Sequence, residues 1–263
     1  MDEPADRSAT SELVVERSTA LTTITLNRAT ARNSLSRGLL GALRQALDDV
    51  EADAACRVIV LRGTAGVFCT GMDFGEHVSI SLSDSEAATA DFMTILRRLG
   101  DIERVTVADI DGQAIGGGVG IAAACDLVIA THGSSFALPE VLWGLLPACV
   151  LPFLIRRVGF QRAYAMALTA QSVTAEQAER LGLVDVLSAE PQLWLRQFVA
   201  RMSRVNAAAV GELKRYARAL WDFDTIGERR AISLSARLGS SDEVQRGLRA
   251  FVEHRRFPWE RHR

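Results

Sequence analysis

The feature that most constrains this chain is a glycine-rich apolar stretch from Asp111 to Asp126, with the sequence DGQAIGGGVGIAAACD. It follows a strand-like apolar run, Val105 to Ile110, and continues into small residues typical of a buried helix. Adjacent glycines in a core segment cost backbone entropy and side-chain packing, so they indicate that another group approaches the main chain closely. Two interpretations are open: tight packing of a helix start, or N–H groups that hold an anion.

A second glycine segment upstream favours the anion site. Gly63 to Glu76, GTAGVFCTGMDFGE, leaves a predicted strand and places Gly71 in a loop that can present a backbone N–H. Neither segment has the G-x-G-x-x-G spacing of a dinucleotide site or the lysine of a P-loop. The glycines therefore predict a site for a phosphate or a developing oxyanion, without the signature of a nucleotide site.

Composition excludes several classes of function. The chain has 263 residues, 48% of them hydrophobic, and a net charge of −2, with Lys214 as its only lysine. This balance gives no global attraction for nucleic acid or anionic membranes, and no basic and aromatic cluster suggests RNA binding. The N-terminus lacks the features of a signal peptide, and the apolar run Ala114 to Ala130 is interrupted by Asp126, so we expect a cytoplasmic protein without a membrane span.

The four cysteines are scattered and form no metal-binding pattern. No C-x-x-C pair or His/Cys cluster occurs, so the sequence predicts reduced core thiols and no metal site. They are Cys56, Cys69, Cys125 and Cys149.

Short strands alternate with helical patterns, which predicts an α/β fold whose helices cover a sheet. Predicted strands are 13–16, 21–26, 57–62, 105–110, 127–130, 135–138 and 183–187. Predicted helices are 37–51, 83–100, 174–181, 193–203, 207–221, 224–238 and 241–254, with turns and short helices in 141–158. We predict a disordered tail at 1–10, a core at 11–190 and a helical subdomain at 191–263.

Four motifs in this order resemble the crotonase, or enoyl-CoA hydratase/isomerase, superfamily. They are VFCTGMDFGE, GQAIGGGVGIAAACDLVIA, FALPEVLWGLLPA and Ala178 to Asp185, within a match of about residues 13 to 190. The resemblance implies a spiral of ββα units with a C-terminal helical oligomerisation region, as in homotrimers or hexamers. It also implies that the N–H groups of Met72 and Gly117 form an oxyanion hole for a thioester carbonyl, with Gly71, Gly116 and Gly118 beside them.

Hydratases of this superfamily use two glutamates, of which this chain keeps one. The position after the triple glycine is Gly120, whereas Glu140 follows Pro139 as in the family motif. A glutamate after a proline is also a good first-turn helix residue, so its placement in the motif carries the catalytic assignment. The residues expected to contact the substrate are Gly71, Gly116, Gly118, Gly120 and Trp143.

Other polar residues near the motifs have weaker functional signals. Asp73 and Asp126 are expected as turn or cap residues, and Cys149 as an inert thiol in the pocket. Glu76 and His77 follow the first glycine loop and are expected on the surface. The pairs Arg156–Arg157 and Arg255–Arg256 are candidates for contacts with a carrier, although solvated helix faces are the simpler interpretation.

The segment EVLWGLLPACVLPFLIRRVGFQRA narrows the resemblance to the hydratase-like dehydratases of polyketide β-branching clusters, as does Pro258-Trp259-Glu260. That resemblance implies dehydration of 3-hydroxy-3-methylglutaryl on an acyl carrier protein, with no cofactor beyond the phosphopantetheine, or CoA, that carries the substrate. Alternatives are decarboxylation of 3-methylglutaconyl on the carrier, an enoyl-CoA hydratase or isomerase of acyl-CoA metabolism, and a non-catalytic protein that binds acyl carriers. The substrate carboxylate would need a cationic partner, for which arginine is the expected type.

Overall fold

The computed structural model describes residues 11–78, 80–220 and 225–254. The strands are β1 (Leu13–Arg17), β2 (Leu21–Leu26), β3 (Val58–Gly63), β4 (Val67–Cys69), β5 (Val105–Ile110), β6 (Gln113–Ile115), β7 (Leu127–Ala130), β8 (Ser135–Ala137), β9 (Val173–Thr174) and β10 (Val186–Leu187). The helices are α1 (Arg37–Ala52), α2 (Phe74–His77), α3 (Leu82–Asp101), α4 (Gly117–Ala124), α5 (Leu151–Val158), α6 (Phe160–Thr169), α7 (Ala175–Leu181), α8 (Pro191–Met202), α9 (Ala207–Ala219), α10 (Thr225–Gly239) and α11 (Asp242–His254). Single 3-10 turns span Ala29–Ala31 and Glu140–Trp143.

The strands form two sheets through which the chain winds. The larger sheet has the order β1-β2-β3-β5-β7-β10, and the smaller has the order β4-β6-β8-β9. Pairing is parallel except between β1 and β2 and between β8 and β9. The successive units β3-β4, β5-β6 and β7-β8 each place one strand in each sheet before the next helical segment. This is the α/β spiral of ββα units that the resemblance implied.

Local signals in the sequence placed several helices correctly. The Ser36 side chain caps α1 by accepting from the Leu39 N–H, and the Thr174 and Gln177 side chains form a capping box at α7. The apolar stripe of α1 is buried in the main core, and its members are Leu39, Leu40, Leu43, Leu47 and Val50.

Two predictions about the segment after β8 need correction. Helix α6 was not predicted, although it follows α5 after the single residue Gly159. The strand predicted for 183–187 is limited to β10, because the N–H groups of Leu183 and Val184 both donate to the Ala178 carbonyl at the end of α7. Those N–H groups satisfy a helix carbonyl instead of extending the sheet.

The arginine pair at the end of α5 is bonded to nearby main-chain oxygens. The guanidinium of Arg157 donates to the carbonyls of Cys125, Asp126 and Leu183 and to the Asp185 carboxylate, at 2.8 to 3.2 Å. Arg156 is exposed and also donates to the Ala123 carbonyl at 3.0 Å. Arg157 is therefore a structural residue and not part of a solvated helix face, while a carrier contact of this pair stays a prediction. Arg255–Arg256 and Pro258–Glu260 lie outside the described residues.

The C-terminal helices pack against the elements that precede them. Leu195 of α8 packs with Val58, Val60 and Val107 of the larger sheet, and α10 lies along α3. Lys214 of α9 pairs with Asp126 at 2.7 Å and also donates to the Arg104 carbonyl. Asp126 is structural, as expected. The division into a core and a helical subdomain remains a prediction.

We expect Arg157→Met to lower the free energy of unfolding by about 2–4 kcal/mol, because it leaves buried carbonyl oxygens without a donor. The matched control is Arg162→Met, since Arg162 makes one exposed bond, to the Leu181 carbonyl. Urea denaturation of both variants measures the difference. Equal stability of the two variants would contradict the structural role of Arg157.

Candidate active site

The smaller sheet brings the two glycine segments together. Parallel pairing of β4 with β6 places Cys69 opposite Ala114, so Gly71 and Gly116 follow adjacent strand ends. Both have positive φ, 78° at Gly71 and 55° at Gly116, a region that side-chain-bearing residues rarely adopt. A Cβ on Gly71 would lie 3.0 Å from the Gly117 nitrogen, which shows how closely the two main chains approach.

Two backbone N–H groups at this contact are left for a ligand. The Gly71 carbonyl accepts from the Leu35 N–H at 2.8 Å, and the Asp73 N–H donates to the Leu35 carbonyl. In such a strand-like segment the Met72 N–H points to the other side, away from Leu35. Gly117 is the first residue of α4, where N–H groups have no partner within the helix. Neither N–H has an acceptor among the described residues.

Glu140 places a carboxyl group beside this pair. It begins the 3-10 turn after β8, which ends at Gly144 and is closed by the bond from the Leu145 N–H to the Glu140 carbonyl. The space that a Cβ of Gly116 would occupy lies 3.0 Å from Oε1 of Glu140. Oε2 is shielded from solvent and has no hydrogen-bond partner in the part of the chain described. Burial raises the pKa of Glu140 to about 7, which suits proton transfer near neutral pH.

A cavity of about 600 Å³ opens onto these groups. Gly71, Met72, Gly116, Gly117, Glu140 and Trp143 line it. Their contact with a substrate stays a prediction. Most of the remaining wall is apolar, and elements distant in sequence supply it. Among those residues are Leu35, Phe92, Ile115, Leu145 and Val150.

Gly118 and Gly120 are not among the residues that line the cavity, so a direct substrate contact of either stays a prediction. A Cβ on Gly118 would collide with the Cys69 carbonyl, so this glycine permits α4 to pack on β4. A Cβ on Gly120 would lie 2.8 Å from Cγ2 of Val150 and 3.3 Å from Cζ of Phe92. The position where hydratases carry their first glutamate is therefore filled by apolar side chains, and the cavity has no room there for a second carboxylate.

The other predicted residues have varied positions. Asp73 caps α2 and pairs with Arg28 at 2.9 Å, and Glu76 is exposed, as expected. Cys149 lines the cavity with its Sγ 3.8 Å from Oγ of Ser235, and burial raises the pKa of its thiol to about 11. His77 was expected at the surface, but it is half-buried and lines the cavity, because the contact of α11 with α2 covers it.

Sequence reasoning missed the cavity residues on α3 and α10, including Phe92 and Ser235. Their helical periodicity indicates a buried face but not which cavity that face meets. Within the described ranges, no group of three or more potential metal ligands occurs, and no helix is both long and apolar enough for a membrane span.

Comparisons with known proteins agree with this geometry. The family model described as enoyl-CoA hydratase/isomerase matches residues 16–262. The chain is 33% identical to the bacillaene synthase dehydratase PksH of Bacillus subtilis over 239 residues, which cover 90% of this chain and 92% of PksH. It is 32% identical to the 2,3-dehydroadipyl-CoA hydratase of Escherichia coli over 249 residues, which cover 93% of this chain and 97% of that enzyme.

Solved structures show the same fold. The crystal structure of PksH from Bacillus subtilis matches with a TM-score of 0.87 and 30% identity, over 95% of this chain and all of that chain. An enoyl-CoA hydratase from Mycobacterium avium matches with a TM-score of 0.83 and 30% identity, over 96% of this chain and all of that chain. With a family match over nearly its whole length and relatives above 30% identity, this chain belongs to the enoyl-CoA hydratase/isomerase family and is a hydro-lyase.

Proposed function

We propose that this enzyme removes water from a 3-hydroxy-3-methylglutaryl thioester on an acyl carrier protein, which gives the 3-methylglutaconyl thioester. The observation that carries the proposal is the shielded carboxylate of Glu140 beside two N–H groups that have no acceptor among the described residues, with the second carboxylate position taken by Gly120. Similarity to PksH, named as a dehydratase of bacillaene synthase, supports dehydration as the reaction.

In this proposal the first step forms an enolate at the thioester. The N–H groups of Met72 and Gly117 bind the carbonyl oxygen, while Glu140 removes a proton from the α-carbon. Negative charge then develops on the oxygen, where two preorganised donors stabilise it by several kcal/mol, with about 3–4 kcal/mol typical of one oxyanion donor. Because both donors belong to the backbone, the side chain of Met72 need not take part.

In the second step the enolate expels the hydroxyl group. The carbon–carbon double bond forms as the carbon–oxygen bond breaks, and the Glu140 carboxyl gives the abstracted proton to the departing oxygen. The products are water and the unsaturated thioester, and the carboxylate of Glu140 is restored. One carboxyl group thus acts as base and then as acid.

The alternatives make different demands on the site. Decarboxylation of 3-methylglutaconyl uses the oxyanion hole but needs no base for the α-proton, so the unpaired carboxyl of Glu140 argues against it. Hydration of enoyl-CoA is favoured by the similarity to CoA hydratases, but the filled space at Gly120 removes the second glutamate that such enzymes use. A non-catalytic carrier-binding protein would have no use for a carboxyl buried at a cost.

The proposal includes partners. The acyl carrier protein presents the substrate on phosphopantetheine, and the chain assembles as a homotrimer, or as a hexamer of two trimers, in the cytoplasm. Apolar side chains exposed on α6 and α9 provide surface that an assembly would cover; these are Phe160, Tyr164, Leu168, Leu213, Tyr216 and Leu220.

We expect Glu140→Gln to lower the dehydration rate by about 10³-fold, because an amide cannot accept the α-proton. Wild-type and variant proteins are incubated with 3-hydroxy-3-methylglutaryl on its carrier protein, and the acyl mass is followed. The control is Glu179→Gln, since Glu179 is exposed and does not line the cavity. Loss of water should occur with wild type and control only.

Other outcomes of that experiment would overturn the proposal. No loss of water, combined with loss of carbon dioxide from 3-methylglutaconyl on the carrier, would identify a decarboxylase. Equal or faster turnover of the matching CoA thioester would remove the requirement for a carrier protein. Near-full activity of Glu140→Gln would exclude this residue as the base.

We expect kcat/KM for dehydration of a thioester without a terminal carboxylate to rise with pH and to level off above about pH 7. The pKa of Glu140 is raised to about 7 by burial, and the base must be ionised before it can accept a proton, so the active fraction of free enzyme grows as pH increases through that value. Initial rates between pH 5 and 9 measure the profile. A rate that falls as pH rises through 7 would instead mean that protonated Glu140 is required.

A further inference from the structure

The proposed substrate carries a free carboxylate at the end of its acyl chain, and the cavity must accommodate that charge. Among the described residues that line the cavity, only Arg32 and His77 can carry a positive charge. The two side chains differ in their exposure and in the bonds that they already make. The inference rests on the proposed function, because it concerns recognition of the same substrate.

Arg32 is committed at the rim of the cavity. Its side chain is exposed and donates to the Gln113 side chain, while its carbonyl accepts from the hydroxyl of Thr70. An exposed guanidinium in water contributes little selectivity for a buried anion. The expectation that an arginine meets the substrate carboxylate inside the cavity is therefore not supported by the residues that line it.

His77 has one ring nitrogen engaged and one left over. Its Nδ1 lies 3.0 Å from the Asp73 carbonyl oxygen, an acceptor, so Nδ1 carries a hydrogen and donates. Its Nε2 has no partner in the described ranges. The ring is half-buried in the cavity wall, so Nε2 is the polar atom that this residue can offer to a ligand.

The neighbours of His77 hold it in place relative to Glu140. Gln245 of α11 donates its side-chain amide to the His77 carbonyl at 2.9 Å. Three residues before His77, Phe74 packs edge-on against Trp143, with ring centroids 4.9 Å apart. Trp143 ends the turn that Glu140 begins, so this aromatic contact joins the element carrying the base to the element carrying the imidazole.

We propose that His77 binds the terminal carboxylate of the substrate through Nε2 as an imidazolium, and thereby selects carboxylated acyl chains over uncharged ones. Met72 and Gly117 then hold the thioester oxygen while His77 holds the carboxylate, so both ends of the acyl chain are fixed. This orients the α-carbon toward Glu140. Alignment of reacting groups by such anchors accounts for a large part of enzymatic rate enhancement.

The charge of His77 changes when the substrate binds. Burial lowers the pKa of His77 in the free protein, an effect that Arg37 adds to and that Asp73 and Glu76 oppose. From α11 the facing group is Gln245, which is uncharged. The free ring is therefore neutral at pH 7, and a carboxylate placed against Nε2 favours the imidazolium. Binding then takes up a proton from the buffer.

The test compares two thioesters that share the reacting centre. 3-Hydroxy-3-methylglutaryl and 3-hydroxy-3-methylbutyryl, each on the carrier protein, differ only in the terminal carboxylate. We expect His77→Leu to lower kcat/KM for the carboxylated substrate by about 10- to 100-fold, the range for loss of a hydrogen bond to a charged group, mainly through KM. The uncharged substrate should change less than about 2-fold.

Two variants control for folding and for general loss of a histidine. His77→Gln keeps a donor near the Nε2 position and should recover part of the preference for the carboxylated substrate. His132→Leu removes a histidine that is exposed, pairs with Glu176 and does not line the cavity, so it should leave both substrates unchanged. Equal losses for both substrates in His77→Leu, or a wild type without preference between them, would overturn the inference.

A binding measurement separates this inference from the proposed reaction. Calorimetric titration of the Glu140→Gln protein with the carboxylated thioester, repeated in buffers of different ionisation enthalpy, measures proton uptake without turnover. We expect uptake at pH 7 that disappears in Glu140→Gln/His77→Leu. Equal uptake in both proteins would overturn the role of His77. If wild type dehydrates neither thioester, the proposed function fails, and this titration still decides the inference.

Discussion

The close contact between the main chains at Gly71 and at Gly116–Gly117 is the constraint on which the rest of the site depends. Two N–H groups can face one oxygen only if the segments that carry them lie nearly in van der Waals contact, and a Cβ on Gly71 would already press on the Gly117 nitrogen. Parallel pairing of β4 and β6 determines which residues of the two glycine segments lie side by side. The packing of α4 on β4 determines how closely the start of α4 approaches Gly71. The entropy that the glycines lose is offset by burial of α4 in the main core.

The surroundings of Glu140 follow from the same packing. The carboxyl group lies against Gly116 because no side chain occupies that space, and Oε2 has no donor to stabilise its negative charge. Desolvation therefore raises its pKa to about 7. Phe92 and Val150 fill the volume at Gly120, so that position brings no second carboxylate to Glu140.

Signals that act within a few residues made much of the fold predictable. The alternation of short strands with helical patterns identified the α/β class. Signals such as the caps at Ser36 and Thr174 and the apolar stripe of α1 mark individual helices, because local conformation and burial follow from adjacent residues. The helix α6 and the extent of β10 were missed. The role of Arg157 depends on a partner at the end of α4, and that of His77 on a partner on α11, both far away in sequence. The sequence around an arginine or a histidine does not indicate such a partner.

In the proposed mechanism a single carboxyl group is sufficient for the elimination, because it ends each turnover in the state in which it began. Glu140 would take a proton from the α-carbon and lose the same proton with the departing water, so the buried site would need no relay to solvent. A pKa of about 7 makes Glu140 a stronger base for the first transfer than an ordinary carboxylate would be. The burial that leaves Glu140 without a hydrogen-bond partner at Oε2 is thus what permits it to act in both directions.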